Sequence, residues 1–127
     1  MSCSYRELVV WQKARKFAGL IYDATDGFPY GERFGLTSQL RRAAVSVASN
    51  IAEGQGRLTT GEFRQFLGQA RGSLLEVETQ MAIALDLGYL KKPQYDELDC
   101  AAYQVLGLLN RLVESLRHSP KVVALKP

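Results

Sequence analysis

Two unbroken heptad seams constrain what this chain can fold into more than anything else in it. Phe63, Leu67, Ala70, Leu74, Val77, Met81 and Ala84 advance by alternating steps of four and three residues. Tyr95, Leu98, Ala102, Val105, Leu109, Leu112 and Leu116 do the same. Apolar side chains repeating every 3.5 residues form a stripe along one helix face, buried by packing on a nearly aligned neighbour. Two shorter stripes precede them: Val10, Ala14, Phe17, Ile21 and Ala24, then Leu36, Leu40, Ala43, Val47 and Ile51. No segment alternates with period two, so strands are not expected.

Turn residues divide the stripes. Gly27-Phe28-Pro29-Tyr30-Gly31, Gly54-Gln55-Gly56 and Gly88 through Pro93 lie between them, and Ser119-Pro120 follows the last. The spacing predicts helices over 7–26, 34–53, 60–87 and 93–118. Thr59 and Glu62 have capping-box spacing at the start of the third helix. Pro93 suits a first helical turn, where no amide partner is needed, and Asp96 and Glu97 complement the positive end. Gly27, Gly54 and Gly88 can each close a helix in the left-handed conformation. Short connections force neighbours antiparallel. The expected fold is all-α: an up-down-up-down four-helix bundle as one domain over residues 1–118, with a flexible tail at 119–127. With 127 residues, 46% of them apolar, the chain can bury a core without staples.

Some apolar positions exceed what one seam can bury. Leu8, Val9, Val10 and Trp11 are consecutive, and consecutive helical side chains diverge by about 100°. Gly68, Leu75 and Ala82 form a second line beside the third seam, as do Tyr103, Leu106 and Val113 beside the fourth. A wide core face and a subunit contact both account for them; the interface candidates are Leu8, Val9, Trp11, Gly68, Leu75 and Ala82. Gly19, Gly68, Gly72 and Gly107 lie inside helices, where each costs roughly 1 kcal/mol against alanine. Close backbone approach, between helices or between subunits, is the favoured reason. Asn50 stands where a seam expects an apolar side chain and is read as fixing alignment.

The chemistry of a catalytic or metal centre is missing from the pattern. The one histidine, His118, ends the last helix, and Cys3 and Cys100 share no ligand spacing with it. Gly54-Gln55-Gly56 lacks the rest of a dinucleotide or phosphate-loop signature. Glu76 and Glu78 diverge on a helix and make no acid–base pair. No catalytic, cofactor-binding or metal-binding residue is assigned, and the chain is expected not to be an enzyme. Two cysteines make no disulfide framework. The N-terminus has no signal-peptide pattern, and no apolar run approaches membrane-spanning length. The expected location is therefore the cytoplasm, with no membrane partner.

Charge carries more. The net is +3, with ten basic and six acidic residues in 1–72 but two basic and six acidic in 73–99. Lys13, Lys16, Arg41, Arg42, Arg57, Arg64 and Arg71 are the candidates for contact with phosphates or an acidic partner; a solvated face with scattered ion pairs is the other reading. Aromatic residues that could stack on bases do not interleave with these arginines, so base-specific readout is not expected.

Taken in order, Leu8-Val9-Val10-Trp11-Gln12-Lys13-Ala14, Phe28-Pro29, Gly35-Leu36-Thr37-Ser38-Gln39-Leu40-Arg41-Arg42-Ala43-Ala44, Ser46, Asn50-Ile51-Ala52-Glu53-Gly54, Glu62-Phe63, Phe66-Leu67, Gly72-Ser73, Glu76 and Leu87-Gly88-Tyr89-Leu90 form a specific pattern. It resembles the bacterial four-helix bundle proteins encoded by intervening sequences of large-subunit ribosomal RNA genes. These are similar to the accessory protein of diversity-generating retroelements. The match covers about residues 5–118. The resemblance implies a cytosolic helical bundle assembled as a ring, typically a homopentamer, with Asn50, Glu53 and Gly54 matching a structural signature turn. The retroelement relatives present a basic surface and bind nucleic acid and a reverse transcriptase. Two functions follow as expectations: a nucleic-acid-associated adaptor contacting DNA or RNA without sequence preference, or a scaffold docking another protein.

Overall fold

The computed structural model describes residues 4–117; Cys3, His118 and the tail at 119–127 lie outside them. Four α-helices carry the chain: α1 Val9–Thr25, α2 Leu36–Gln55, α3 Thr60–Asp86 and α4 Lys92–Leu116. Short 3₁₀ turns at Tyr5–Glu7 and Tyr30–Glu32 precede α1 and α2. There is no strand among the described residues. α2 packs on α1 and α3, and α4 packs on α3 and α1, so α1 and α3 face each other diagonally across an antiparallel bundle.

The core is the meeting of the four stripes. Every α3 seam residue from Phe63 to Ala84 is buried, as are Leu98, Ala102, Val105, Leu109 and Leu116 of α4. Val10, Ala14, Phe17 and Ile21 of α1 and Leu40, Ala43, Val47 and Ile51 of α2 close it. Each large aliphatic side chain removed from water in this way contributes about 1.5–3 kcal/mol. No described helix is long and apolar enough to cross a membrane.

The helix ends follow local chemistry. Thr59 Oγ1 accepts the Glu62 amide at 3.1 Å and caps α3. Gly88 takes φ +80° after α3, with Tyr89 N–H on Ala84 O at 2.9 Å and Gly88 N–H on Leu85 O at 3.0 Å. That double bond pattern needs a residue free to adopt the left-handed region. Pro93 lies in the first turn of α4, and Gln94 Oε1 accepts the Lys91 amide at 3.0 Å. Asp96 meets Lys92 Nζ at 2.6 Å, and the bond holds the ammonium above its usual range.

At the α1–α2 connection the Leu36 amide donates to Glu32 Oε1 at 2.9 Å, and the Tyr89 hydroxyl donates to Glu32 Oε2 at 2.9 Å. These bonds, the amide foremost, hold the Glu32 carboxyl below the usual range. Phe28 packs on the Tyr89 ring at 5.4 Å, so the α1–α2 and α3–α4 connections close the same end of the bundle.

Three expectations need correction. α2 does not stop before Gly54; it runs through it to Gln55, and Gly88 alone among the described glycines has positive φ. Gly54 is buried against α3, where a Cβ would sit 2.7 Å from Phe66 Cβ and 3.0 Å from Phe63 Cδ1. It is glycine for close approach, not for a turn. Conversely, a Cβ on Gly19, Gly68 or Gly72 would meet nothing within 4 Å, and on Gly107 only an Arg111 nitrogen at 3.8 Å. No close helix approach within the chain accounts for these four.

Candidate nucleic-acid interface

The α1–α2 face is built by two antiparallel helices whose outward residues are small in the middle and large at both ends. Ala18 of α1 and Val45, Ala48, Ser49 and Ala52 of α2 floor a shallow groove of about 340 Å³, which Tyr5, Trp11 and Arg15 wall at one end. Trp11 and Arg15 are shared with a depression of about 550 Å³ that also takes in Arg6, Gln12 and Lys16. Val45 is shared with one of about 530 Å³ at the other end, lined by Tyr22, Arg33, Phe34, Thr37, Ser38, Arg41 and Arg42. These three depressions adjoin, and no carboxylate lines any of them.

Arginines and aromatic rings meet repeatedly along this face. Arg15 lies over Trp11 at 5.5 Å, Arg41 over Tyr22 at 4.6 Å, and Arg33 over Tyr30 at 3.8 Å and over Phe34 at 4.5 Å. Of the candidate arginines on this face, Arg41 thus has a ring beneath it, and the expectation that aromatics do not interleave with them fails in space at that residue. Trp11 and Arg15 are one helical turn apart, and Tyr22 and Arg41 come together across two helices.

Arg41 holds the face together. Its Nε donates to Thr25 Oγ1 at 2.8 Å and its Nη2 to Tyr22 O at 3.3 Å, with Asp26 at 3.7 Å. A cation there complements the negative end of α1 and ties it to the first turns of α2. Part of its hydrogen-bonding capacity is thus already used.

The other candidates divide. Lys16 and Arg42 share the α1–α2 face with Arg41, and Lys13 is exposed on α1 without lining any of its depressions. Arg57, Arg64 and Arg71 belong to the α2–α3 turn and to α3, which lies diagonally across the bundle from α1. Arg57 lies over the Phe66 ring at 4.6 Å, Arg64 is half-buried with its Nε lacking a partner, and Arg71 is exposed. Arg6, Arg15 and Arg33 were not singled out by sequence spacing. The Trp11–Arg15 step of four was the one readable signal. Among the described residues the ion pairs are Arg41–Asp26, Lys92–Asp96 and Arg117–Glu114, so Glu53, Glu62, Glu76 and Glu78 form no ion pair with the seven, although Glu76 lines a further depression beside Arg42 on the α2–α3 side.

The signature residues Asn50, Glu53 and Gly54 form no turn but lie within α2, where they have structural work. Asn50 Nδ2 donates to Ser46 O at 2.9 Å and lies 3.0 Å from Ser46 Oγ, which meets Ser73 Oγ at 2.9 Å. The chain of bonds crosses from α2 to α3 and fixes their alignment, while Gly54 admits the α3 phenylalanines and Glu53 is exposed. On the α3–α4 side, burial first and Asp99 second push the Glu78 carboxyl above its ordinary value. No group of three or more His, Cys, Asp or Glu side chains suited to a metal ion occurs among the described residues.

The interface candidates are likewise split. Leu8 and Trp11 pack partly on the core, Trp11 edge-on to Tyr5 at 5.1 Å. Val9 is 55% and Leu75 41% exposed, Gly68 is open, and Ala82 is half-buried beside the exposed Ile83. Leu106 and Val113 widen the core, while Tyr103 stands in solvent.

The class these features define is a four-helix bundle with a basic face whose three adjoining depressions are lined by no carboxylate. The chain matches the 23S rRNA-intervening sequence protein family over residues 6–111 and belongs to it. Its fold is also that of a crystal structure from Bacteroides thetaiotaomicron, a protein with unknown function from the S23 ribosomal protein family. The two superpose with a TM-score of 0.78 at 21% identity, over 84% of this chain and 96% of that one. No curated protein sequence matches the chain.

Proposed function

We propose that this protein is a non-enzymatic, nucleic-acid-associated adaptor that contacts phosphate backbone through the α1–α2 face. The observation that carries the reading is the run of three adjoining depressions lined by Arg6, Arg15, Lys16, Arg33, Arg41 and Arg42 and by no carboxylate. In a chain of net charge +3, such a concentration of one sign makes a local field suited to a polyanion. Binding of this kind is independent of sequence and driven by counterion release. If about six phosphates are neutralised, affinity falls roughly a thousandfold between 50 and 200 mM salt. A salt titration of binding to DNA and RNA tests it; no binding by the intact protein at 50 mM salt overturns it.

The same reading includes assembly as a closed homo-oligomer, with the homopentameric ring of the resembled family as the expected size. The exposed line Gly68, Gly72, Leu75 and Ile83 along α3 supports self-association, because a bundle needs no apolar side chain there. A ring repeats one basic face around an axis, and weak contacts then act together. A monomer in light scattering at micromolar concentration overturns assembly, and a dimer overturns the ring. A protein partner, a reverse transcriptase among them, is the alternative use of the surface, and nuclease-insensitive capture from native cytosol would favour it.

A further inference from the structure

A face that met only phosphates would need charge alone, yet this one also presents rings to water. Phe34 is 83% exposed, Tyr30 75% and Tyr22 45%. Tyr22 and Phe34 line the same depression as Arg33, Arg41 and Arg42. Each ring has a guanidinium over it: Arg41 at 4.6 Å from the Tyr22 centroid, Arg33 at 4.5 Å from that of Phe34. Arg33 is wedged between Phe34 and Tyr30, and its Nη1 donates to Tyr30 O at 3.4 Å. A cation over one face of a ring leaves the other face for a second planar group, and a nucleobase is such a group.

Between the aromatic ends lies the low floor of Ala18, Val45 and Ala48. Trp11 and Tyr22 stand eleven residues apart on α1, roughly 16 Å along the helix. A duplex keeps its bases inside and offers such a groove only its phosphates, so the rings would stay in water. A single strand offers bases to the rings and phosphates to the arginines at once. Resting on the proposed nucleic-acid binding, we infer that the α1–α2 groove takes single-stranded nucleic acid, with bases stacked on Tyr22 and Phe34 and backbone held by Arg15, Arg33 and Arg42.

The test compares a short oligothymidylate with a duplex of the same length, using the full chain and the variants Phe34→Ala, Tyr22→Ala and Phe34→Trp. Phe34 is too exposed for its truncation to disturb folding. Trp11 is the chain's one tryptophan and lines the groove, so quenching of its emission reports occupancy. The single strand should bind more tightly than the duplex and quench Trp11. Each alanine variant should lose about tenfold in single-strand affinity while duplex affinity and salt slope stay put, since no charge is removed. Phe34→Trp should restore binding. Single-strand affinity unchanged in both alanine variants overturns the stacking inference and leaves phosphate contact standing. Equal competition by polyglutamate and by oligothymidylate overturns it too, as does a changed subunit number in either variant, which would make the rings a contact between copies. No binding of either nucleic acid at 50 mM salt overturns both readings.

Discussion

Gly54→Ala should destabilise the bundle although it replaces a helical glycine with the best helix former. The gain in propensity is about 1 kcal/mol. Against it, the new Cβ sits 2.7 Å from Phe66 Cβ, 3.0 Å from Phe63 Cδ1 and 3.3 Å from Phe63 O. Carbon atoms rest at roughly 3.5–4.0 Å, so α2 and α3 must part by about 0.8 Å or more. Phe63 Cδ1 can swing away; Phe66 Cβ and Phe63 O are fixed to the backbone of α3. Overpacking of this kind costs about 1–3 kcal/mol, and the rigid contacts place the cost at the upper end. Separation also stretches the Ser46–Ser73 bond, 2.9 Å in the native pairing. The net loss should be about 2 kcal/mol, a fall of roughly 8 °C in Tm. Chemical and thermal unfolding measure it, with Gly19→Ala as the control, since a Cβ there meets nothing within 4 Å. The control should be neutral to stabilising by up to about 1 kcal/mol. Phe66→Ala should not rescue Gly54→Ala, because alanine keeps the offending Cβ. A Gly54→Ala protein as stable as the parent, or rescue by Phe66→Ala, refutes the reasoning.

Leu74→Ala and Leu109→Ala, both fully buried, should each cost about 2–5 kcal/mol in denaturant unfolding. Gly68→Ala and Gly72→Ala should raise the stability of the dissociated subunit by up to about 1 kcal/mol each, yet weaken self-association in analytical ultracentrifugation if a neighbouring copy approaches there. Glu78→Gln should stabilise at neutral pH: with its folded pKa raised, Glu78 favours folding only when protonated, and that contribution is lost as pH rises through the folded pKa. The advantage of Glu78→Gln should therefore shrink as pH falls below the ordinary carboxylate value of 4.5, in thermal melts across pH.

The core was legible in the sequence because a heptad stripe is a one-dimensional signal: its spacing alone says which side chains meet. Helix ends marked by Thr59, Gly88 and Pro93 were legible for a similar reason, since each serves a backbone need within a few residues. Gly54 was misread because glycine answers two different needs, a left-handed turn and a close approach. Only the position of Phe63 and Phe66 on the next helix distinguishes them. The basic face was half legible. Lys16, Arg41 and Arg42 stood out as charges, but Arg15 and Arg33 acquire meaning only when α1 and α2 lie antiparallel and bring Trp11, Val45 and Tyr22 along one groove. Which arginines face the same way is a property of helix pairing, not of spacing along one helix.

The central claim is that the α1–α2 face, rather than basic residues at large, meets phosphate. The most direct measurement is the slope of log affinity against log salt for the parent and for single substitutions on and off that face. Arg15→Ala, Arg33→Ala and Arg42→Ala should each flatten the slope by about one unit with no change in sequence preference, while Arg71→Ala on α3 leaves it unaltered. Equal flattening by Arg71→Ala, or no flattening by the three on the face, contradicts the account.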